Sequence, residues 1–340
     1  MKKYAVIGGA GFVGSWVVKL LLQDPENEVI VIDNLLSSEK WNLPINQRLT
    51  TIWGSAADFS VLTKVTDELD GIINLACFHG NQSSIENPLS DMENSLKTTL
   101  TVLEWAKRFH PQARVLYSGA GCAVADKTWD SPIPVKEVDV TSLYHDSPYS
   151  ISKITGEMYC IYYAKQHDLN VVRVRFQNAY GPGEILGAGQ WRGTPHTVWR
   201  NVVPTFIWKA LKGHDLEIFG DGTAGRDFVY VEDLAQGVLN AFKFGASGEV
   251  YNLASGIETS VKHLAETILD NVSSSSTLRF EPKRPWDNSG RRVGDPAKSK
   301  TEISFSTTVD IEQGIARTVD WFTANLDRID SLIYRHNLPL

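Results

Sequence analysis

Apolar residues fall along this chain in short runs separated by stretches with helical spacing, and the alternation starts at the first residues. Tyr4-Ala5-Val6-Ile7 is apolar throughout and reads as a strand buried on both faces. From Gly11 to Gln23, Val13, Trp16, Val17, Leu20 and Leu21 recur at the intervals of one helix face, and Val29-Ile30-Val31-Ile32 is a second buried strand. Three further strands repeat the pattern: Ile72 to Ala76, leading to a helix over about 88–109; Arg114 to Ser118, leading to a loop; and Val171 to Phe176, after a helix over 149–167. Strands alternating with helical stretches predict an α/β fold on a doubly wound parallel sheet. Ligands of such sheets lie beyond the C-terminal strand ends, where Asp58, Ala76, Ser118 and Phe176 fall.

The turn after the first strand, Gly8-Gly9-Ala10-Gly11-Phe12-Val13-Gly14, carries three glycines in a GxxGxxG spacing. The second strand ends in Asp33, 19 residues after Gly14. In a βαβ unit such glycines permit a tight turn and close backbone approach, a pyrophosphate sits at the helix N-terminus, and the acidic residue takes the adenosine ribose. A carboxylate there repels a 2′-phosphate, and Asn34-Leu35 adds no cation. NAD is therefore expected rather than NADP.

A second signal lies downstream. Tyr149 and Lys153 are four apart within a helical stretch and share a face. An ammonium beside the phenol stabilises the phenolate, which lets a group ordinarily titrating near about 10 act as a base near neutrality.

Composition narrows the partners. A net charge of -7 and a pI near 5.7 do not supply the basic footprint that nucleic acid requires. No run of 18 apolar residues and no signal-like N-terminal segment occurs, so the expectation is a soluble, cytoplasmic protein without a membrane partner. Cys77, Cys122 and Cys160 are odd in number and widely spaced, which suggests neither a disulfide framework nor a metal site.

On these residues the chain resembles the extended short-chain dehydrogenase/reductase family, and within it the nucleotide-sugar epimerases and dehydratases of the UDP-glucose 4-epimerase kind. Tyr149-Ser150-Ile151-Ser152-Lys153 matches the YxxxK pair and is followed by Gly156-Glu157. Arg175-Phe176-Gln177-Asn178-Ala179-Tyr180-Gly181-Pro182 looks like RxFNxYGP. Ile218-Phe219-Gly220-Asp221-Gly222, Arg226-Asp227-Phe228 and Gly290-Arg291-Arg292-Val293-Gly294-Asp295 carry the sugar-nucleotide signature.

The resemblance implies a Rossmann domain over 1–177, rejoined by 228–256, and a smaller C-terminal α/β substrate-binding lobe from 178–227 and 257–340. It implies cofactor contacts from Gly8, Gly11, Phe12, Val13 and Gly14 in the turn, from Asp33, Asn34, Leu35 and Ser37 after the second strand, and from Asp58 and Phe59 beside adenine. Leu75, Ala76, Cys77, Asn94 and Phe176 complete that set with Tyr149 and Lys153. For substrate it implies His79, Ala120, Asn178, Arg192, His196, Val203, Phe219 and Asp295, with Arg226 and Arg292 clamping the diphosphate. Two guanidiniums suit that task because each offers a planar fork of donors and a permanent charge. Arg291 is the alternative if the register is off by one.

One position departs from the family. Where relatives place a Ser or Thr that hydrogen-bonds the reacting hydroxyl, ungapped alignment of Ser118-Gly119-Ala120-Gly121-Cys122 puts Ala120. Alternation along an extended strand would set Ser118, Ala120 and Cys122 on one face, so Ser118 or a water is a candidate replacement. Cys122 also stands where some 3- or 5-epimerases of the family carry a cysteine base. The loop Gly189-Gln190-Trp191-Arg192-Gly193 resembles that of plant GDP-mannose epimerases, which have Lys in place of Arg192. Arginine is a poor proton donor, and His196 is the nearby alternative. Where 4,6-dehydratases carry an Asp-Glu pair, this chain has Gly121-Cys122.

The expected activity is thus inversion at the 4-position of a nucleotide hexose or hexuronic acid, by transient hydride transfer to NAD, with Tyr149, Lys153, Ser118 and Cys122 as catalytic candidates. The rivals are a 3,5- or 5-epimerase, a decarboxylase or reductase, and a binding protein without turnover. The helices over 88–109 and 149–167 carry apolar residues on more than one face, Leu96, Leu100, Leu103, Tyr159 and Tyr163 among them. Since the family pairs these helices between subunits, a homodimer is expected.

Overall fold

The computed structural model describes residues 1–124, 130–139, 143–285, 287 and 290–338, with only the backbone of Cys122. Its strands in chain order are β1 (Lys2–Ile7), β2 (Asn27–Asp33), β3 (Leu49–Trp53), β4 (Gly71–Asn74), β5 (Arg114–Ala120), β6 (Val171–Phe176), β7 (Asn178–Tyr180), β8 (Leu216–Phe219), β9 (Gly225–Tyr230), β10 (Val250–Leu253), β11 (Glu258–Ser260) and β12 (Leu278–Glu281). Seven form one parallel sheet in the order β10-β6-β5-β4-β1-β2-β3. The order reverses at β1, whose neighbours are β2 and β4. A crevice opens there, because the connections on its two sides leave in opposite directions.

The apolar strands are explained by burial on both faces. Tyr4, Val6, Val29, Val31, Ile73, Leu116, Val172 and Val174 face one core; Ala5, Ile7, Ile30, Ile32, Ile72, Val115 and Val171 face the other. Successive strand residues point to opposite sides, so a sheet covered twice needs apolar side chains at every position. A third core, with Val203, Phe206, Trp208, Ile218, Leu264 and Phe322, fills the remaining lobe, which carries a three-stranded sheet β11-β9-β7 and a pair β12-β8.

Three elements differ from the sequence expectation. β3 was not anticipated: it is the sheet edge, Thr50 and Thr51 are exposed, and the apolar signal of a buried strand is missing. β5 runs on to Ala120, pairing Ala120 with Phe176, and the chain then turns through a short 3-10 segment, Gly121–Ala123. The alternation that would have carried Cys122 onto the face of Ser118 and Ala120 therefore stops. The helix over 88–109 is built from Pro88–Asp91, a π-helical Met92–Lys97 and Thr98–Phe109.

Candidate active site

The turn after β1 depends on two glycines. Gly8 has φ +77, and a Cβ on it would lie 2.9 Å from Ala76 Cα; a Cβ on Gly14 would collide with the Gly8 carbonyl oxygen. The helix Phe12–Leu21 then starts from Gly11 with no side-chain cap, which leaves its first N–H groups to an incoming anion. Asp33 is buried beside them. Its Oδ2 accepts from Ala10 N at 3.0 Å, and its Oδ1 from Leu35 N and Ser38 Oγ, both at 2.8 Å. Burial nevertheless pushes its carboxyl above the usual range. Leu35 contributes through its backbone, in the left-handed region at φ +56.

A cavity of about 450 Å³ begins at this turn. Gly8, Gly11, Phe12, Val13, Gly14, Asp33, Asn34 and Ser37 line its first part, followed by Leu75, Ala76, Cys77 and Asn94 beyond β4. Ser118, Ala120, Tyr149, Lys153, Phe176 and Asn178 line the middle, and His79, His196, Val203, Arg226 and Arg292 the remainder. The uncapped helix start, the glycine cradle and the buried carboxylate fit a dinucleotide.

Other expected residues lie off this surface. Asp58 is exposed and caps the short helix Phe59–Leu62 by accepting from Ser60 N, while the Phe59 ring packs 5.9 Å from Phe109. The wall at that place is Gly54, Ser55 and Ala56. Asp295 accepts from Ala297 N at 2.9 Å and starts a helical turn. Phe219 is 38% exposed at the end of β8, with the Arg284 guanidinium 3.8 Å above its ring. Arg192 is buried behind Phe78. The side chain of Cys122 lies outside the described residues.

Tyr149 and Lys153 stand one turn apart on the helix Pro148–Gln166, whose Ser147 cap accepts from Ser150 N. Lys153 is buried; its Nζ donates to the Ser118 carbonyl at 2.8 Å and lies 5.8 Å from the Tyr149 ring centre. The Ser118 hydroxyl donates to the Asn74 carbonyl at 3.1 Å, so Ser118 holds Lys153 through its backbone while its side chain is engaged with β4. Ala120 is buried at the cavity wall with no polar side-chain atom to offer. Below the pair, Glu157 accepts from Arg175 Nε at 2.9 Å and Arg173 Nη1 at 3.3 Å in a buried cluster that fixes the helix against β6.

The two adjacent arginines separate cleanly. Arg291 forms a forked pair with Glu258 at 2.8 and 2.7 Å, whereas Arg292 lines the cavity with a buried Nη1 that has no partner among the described residues. Arg226, also on the wall, donates to the Gly225 carbonyl at 2.8 Å and to that of Gly290 at 2.5 Å. Arg292 thus faces the cavity, and Arg291 is an ion-pair residue.

A further polar group lines the cavity. Glu184, Arg200 and Asn201 join His79 there. The Asn201 amide donates to Glu184 Oε1 and lies 3.0 Å from His79 Nε2. Burial pushes the Glu184 carboxyl up to about 7, and its Oε2 has no partner among the described residues. Burial, reinforced by the Arg200 charge, lowers His79 to about 4, so its imidazole is neutral at physiological pH. Arg200, lowered by burial to about 9, donates to the Ser37 carbonyl at 2.7 Å and to that of Ala188, tying the cofactor strand to the 184–200 segment. That segment is further fastened by Gly189 N to Glu39 and by Arg335 to the carbonyls of Gly187 and Gly189. One sequence signal pointed this way: Asn201 precedes the helix Val202–Leu211 as a natural cap, yet makes no capping bond.

Known proteins share this architecture. Over 99% of its length the chain is 47% identical to the enzyme WbmF of Bordetella bronchiseptica, crystallised in complex with NAD+, with 97% of that chain covered and a TM-score of 0.88. The same enzyme in complex with NAD+ and UDP gives 48% identity, 99% and 96% coverage, and a TM-score of 0.88. A putative UDP-glucose 4-epimerase of Methanocaldococcus jannaschii is 29% identical, covering 94% of this chain and 98% of its own. A UDP-N-acetyl-alpha-D-glucosaminuronate decarboxylase of Bacillus cytotoxicus is 28% identical, covering 95% and 98%. Residues 4–254, from β1 through β10, match the NAD dependent epimerase/dehydratase family, and the chain belongs to it.

Proposed function

We propose that the chain is an NAD-dependent nucleotide-sugar epimerase inverting the 4-position. The carrying observation is the placement of Tyr149 and Lys153 on the cavity wall, between a dinucleotide cradle and two arginines suited to a diphosphate. Gly8, Gly11, Gly14 and Asp33 would hold the cofactor; Asn178, Arg226 and Arg292 would hold the nucleotide diphosphate. Tyr149 takes the proton of the sugar hydroxyl and later returns it, and the Lys153 cation stabilises the phenolate in between. Bound NAD would supply the hydride acceptor and donor that such an inversion needs. The diphosphate stays clamped while the oxidised sugar presents its other face. Because the hydride returns, one substrate suffices.

Ala120 leaves Tyr149 to reach the hydroxyl without a neighbouring side-chain hydroxyl. Elimination at the 6-position lacks carboxylates at Gly121-Cys122, and a 5-epimerase with Arg192 as acid is opposed by a guanidinium that keeps its protons. Proton NMR in deuterated water with UDP-, dTDP- and GDP-linked sugars tests the reading. A new 4-epimer without solvent deuterium is expected; deuterium at carbon 3 or 5, or loss of carbon dioxide, would overturn it.

We also propose a homodimer. Leu103 and Tyr163 belong to the subunit core, but Leu89, Met92, Ile151, Met158 and Tyr162 are exposed on the two long helices. Light scattering of the protein and of Met158→Glu tests this: a dimer and a monomer are expected. Among the described residues no helix is long and apolar enough to cross a membrane.

A further inference from the structure

His79 stands on the loop after β4, at the C-terminal strand ends, and lines the cavity. That loop, with the helix Asn81–Glu86 behind it, runs from the cofactor turn to the helix of Tyr149. At its start the Ala76 backbone lies against Gly8. At its far end Tyr149 N donates to Ser84 Oγ at 3.1 Å, and Ser84 N donates to the Gly80 carbonyl at 3.2 Å. Ser147, the cap of the Tyr149 helix, donates to Asn81 Oδ1 at 3.2 Å. His79 immediately precedes Gly80, so it lines the cavity between the cofactor turn and the first turn of the Tyr149 helix.

The ring is held at one nitrogen and open at the other. Nε2 lies 3.2 Å from Asn201 Oδ1 and 3.0 Å from Asn201 Nδ2, and the Asn201 amide donates in turn to Glu184 Oε1. Among the described residues nothing bonds Nδ1, and Nδ1 is not one of the buried polar atoms left without a partner, so it keeps accessible surface. Protein surrounds the ring closely enough to hold the imidazole neutral, and the surface that Nδ1 keeps is therefore that of the cavity. Asn201 forgoes a capping bond on its own helix to make this contact. A ring pinned in this way presents Nδ1 at a fixed angle, and a hydroxyl satisfies it in either tautomer because a hydroxyl both donates and accepts.

We propose that His79 binds the sugar, its Nδ1 making a hydrogen bond with a ring hydroxyl of the nucleotide-linked substrate, next to the strand end where Ala120 supplies no polar atom. The inference rests on the nucleotide-sugar reading above. The Ser118 hydroxyl is already given to β4, so the contact has to come from another element, and the loop after the neighbouring strand provides it. Tyr149 carries the proton chemistry, and His79 fixes the sugar beside it. Because the contact is neutral, it discriminates by the position of a hydroxyl rather than by charge.

The test is calorimetry on the full-length protein loaded with NAD, titrated with UDP, UDP-glucose, UDP-N-acetylglucosamine and UDP-glucuronic acid; the dTDP or GDP compounds replace them if those diphosphates bind instead. An asparagine amide stands where Nδ1 stands, and a glutamine amide reaches to where Nε2 stands. For the sugar nucleotide that the wild type binds most tightly, His79→Asn is expected to stay within about twofold of it and His79→Gln to lose about 3- to 10-fold, the scale of one neutral hydrogen bond. UDP and NAD affinities stay unchanged in both, which also shows that both fold. A ring that only bridges Asn201 to the loop gives the reverse order, with His79→Gln matching the wild type and His79→Asn melting lower. Sugar-nucleotide binding by His79→Gln as tight as the wild type, equal losses in the two variants, or a loss shared with UDP overturns the proposal. If UDP, dTDP and GDP all fail to bind the wild type, the nucleotide-sugar reading itself fails and this inference with it.

Discussion

The two ends of the cavity are built in opposite ways. At the cofactor turn every polar atom of Asp33 is answered from within the chain, by Ala10, Leu35 and Ser38, and the glycines are pressed against neighbouring backbone. On the substrate side, Arg292 Nη1 and Glu184 Oε2 are buried without partners among the described residues. A preformed cradle lowers the ordering cost of binding a cofactor that stays for every cycle. Unanswered charges raise the free energy of the empty site and return it only to a ligand of the right chemistry, so discrimination belongs to that side.

Tyr149→Phe breaks the reading most severely: turnover is expected to fall by about 1,000-fold or more, the scale of a lost general base, while NAD stays bound. Unchanged turnover in stopped assays would remove Tyr149 from the chemistry. Arg292→Gln comes next, with UDP affinity expected to fall about 10- to 100-fold by titration, because a charge-assisted contact to phosphate is lost. Arg291→Gln sharpens that contrast: it breaks the Glu258 pair, lowers the melting temperature only slightly, and leaves UDP binding alone. The reverse pattern would mean that the two arginines exchange roles.

Glu184→Gln separates the walls by pH. Glu184 holds its proton up to about 7 in the fold, against an ordinary glutamate value of 4.5. Between those values the fold binds the extra proton, so this residue costs stability as pH rises through them. His79, lowered from 6.5 to about 4, acts in the opposite sense over an overlapping range, so only the difference between variant and wild type isolates Glu184. The two should melt together near pH 4, and above pH 7 the variant should be more stable by up to about 3 kcal/mol. No divergence would mean that the carboxylate is already answered as an anion. The smallest effect belongs to Ala120→Ser, expected to raise turnover up to about tenfold by restoring a hydroxyl beside Tyr149; a drop would show that the wall has closed over that space.

Local chemistry carried the cofactor half of this site into the sequence. Gly8, Gly14 and Asp33 act through neighbours close along the chain or in the adjacent strand, so their spacing reports their role. The same holds for Tyr149 and Lys153, which one helical turn brings together. Asp58 misled because a carboxylate after a strand reads alike whether it reaches a ligand or caps the next helix; here Ser55 and Ala56, three and two residues earlier, form the wall. Ser118 misled in another way, since a hydroxyl on the right face is lost to chemistry once the carbonyl of β4 takes it.

What the sequence by itself determined about this protein is the parallel sheet, the dinucleotide turn and the tyrosine–lysine pair, each set by periodicity or by contacts within one supersecondary unit. Only the tertiary structure decided which of two adjacent arginines faces the cavity, and that Asn201 leaves its helix cap for Glu184 and His79. Those outcomes depend on residues 17 to 122 positions apart meeting in space. A charge is costly or useful according to what surrounds it in the fold, and residue order does not state that.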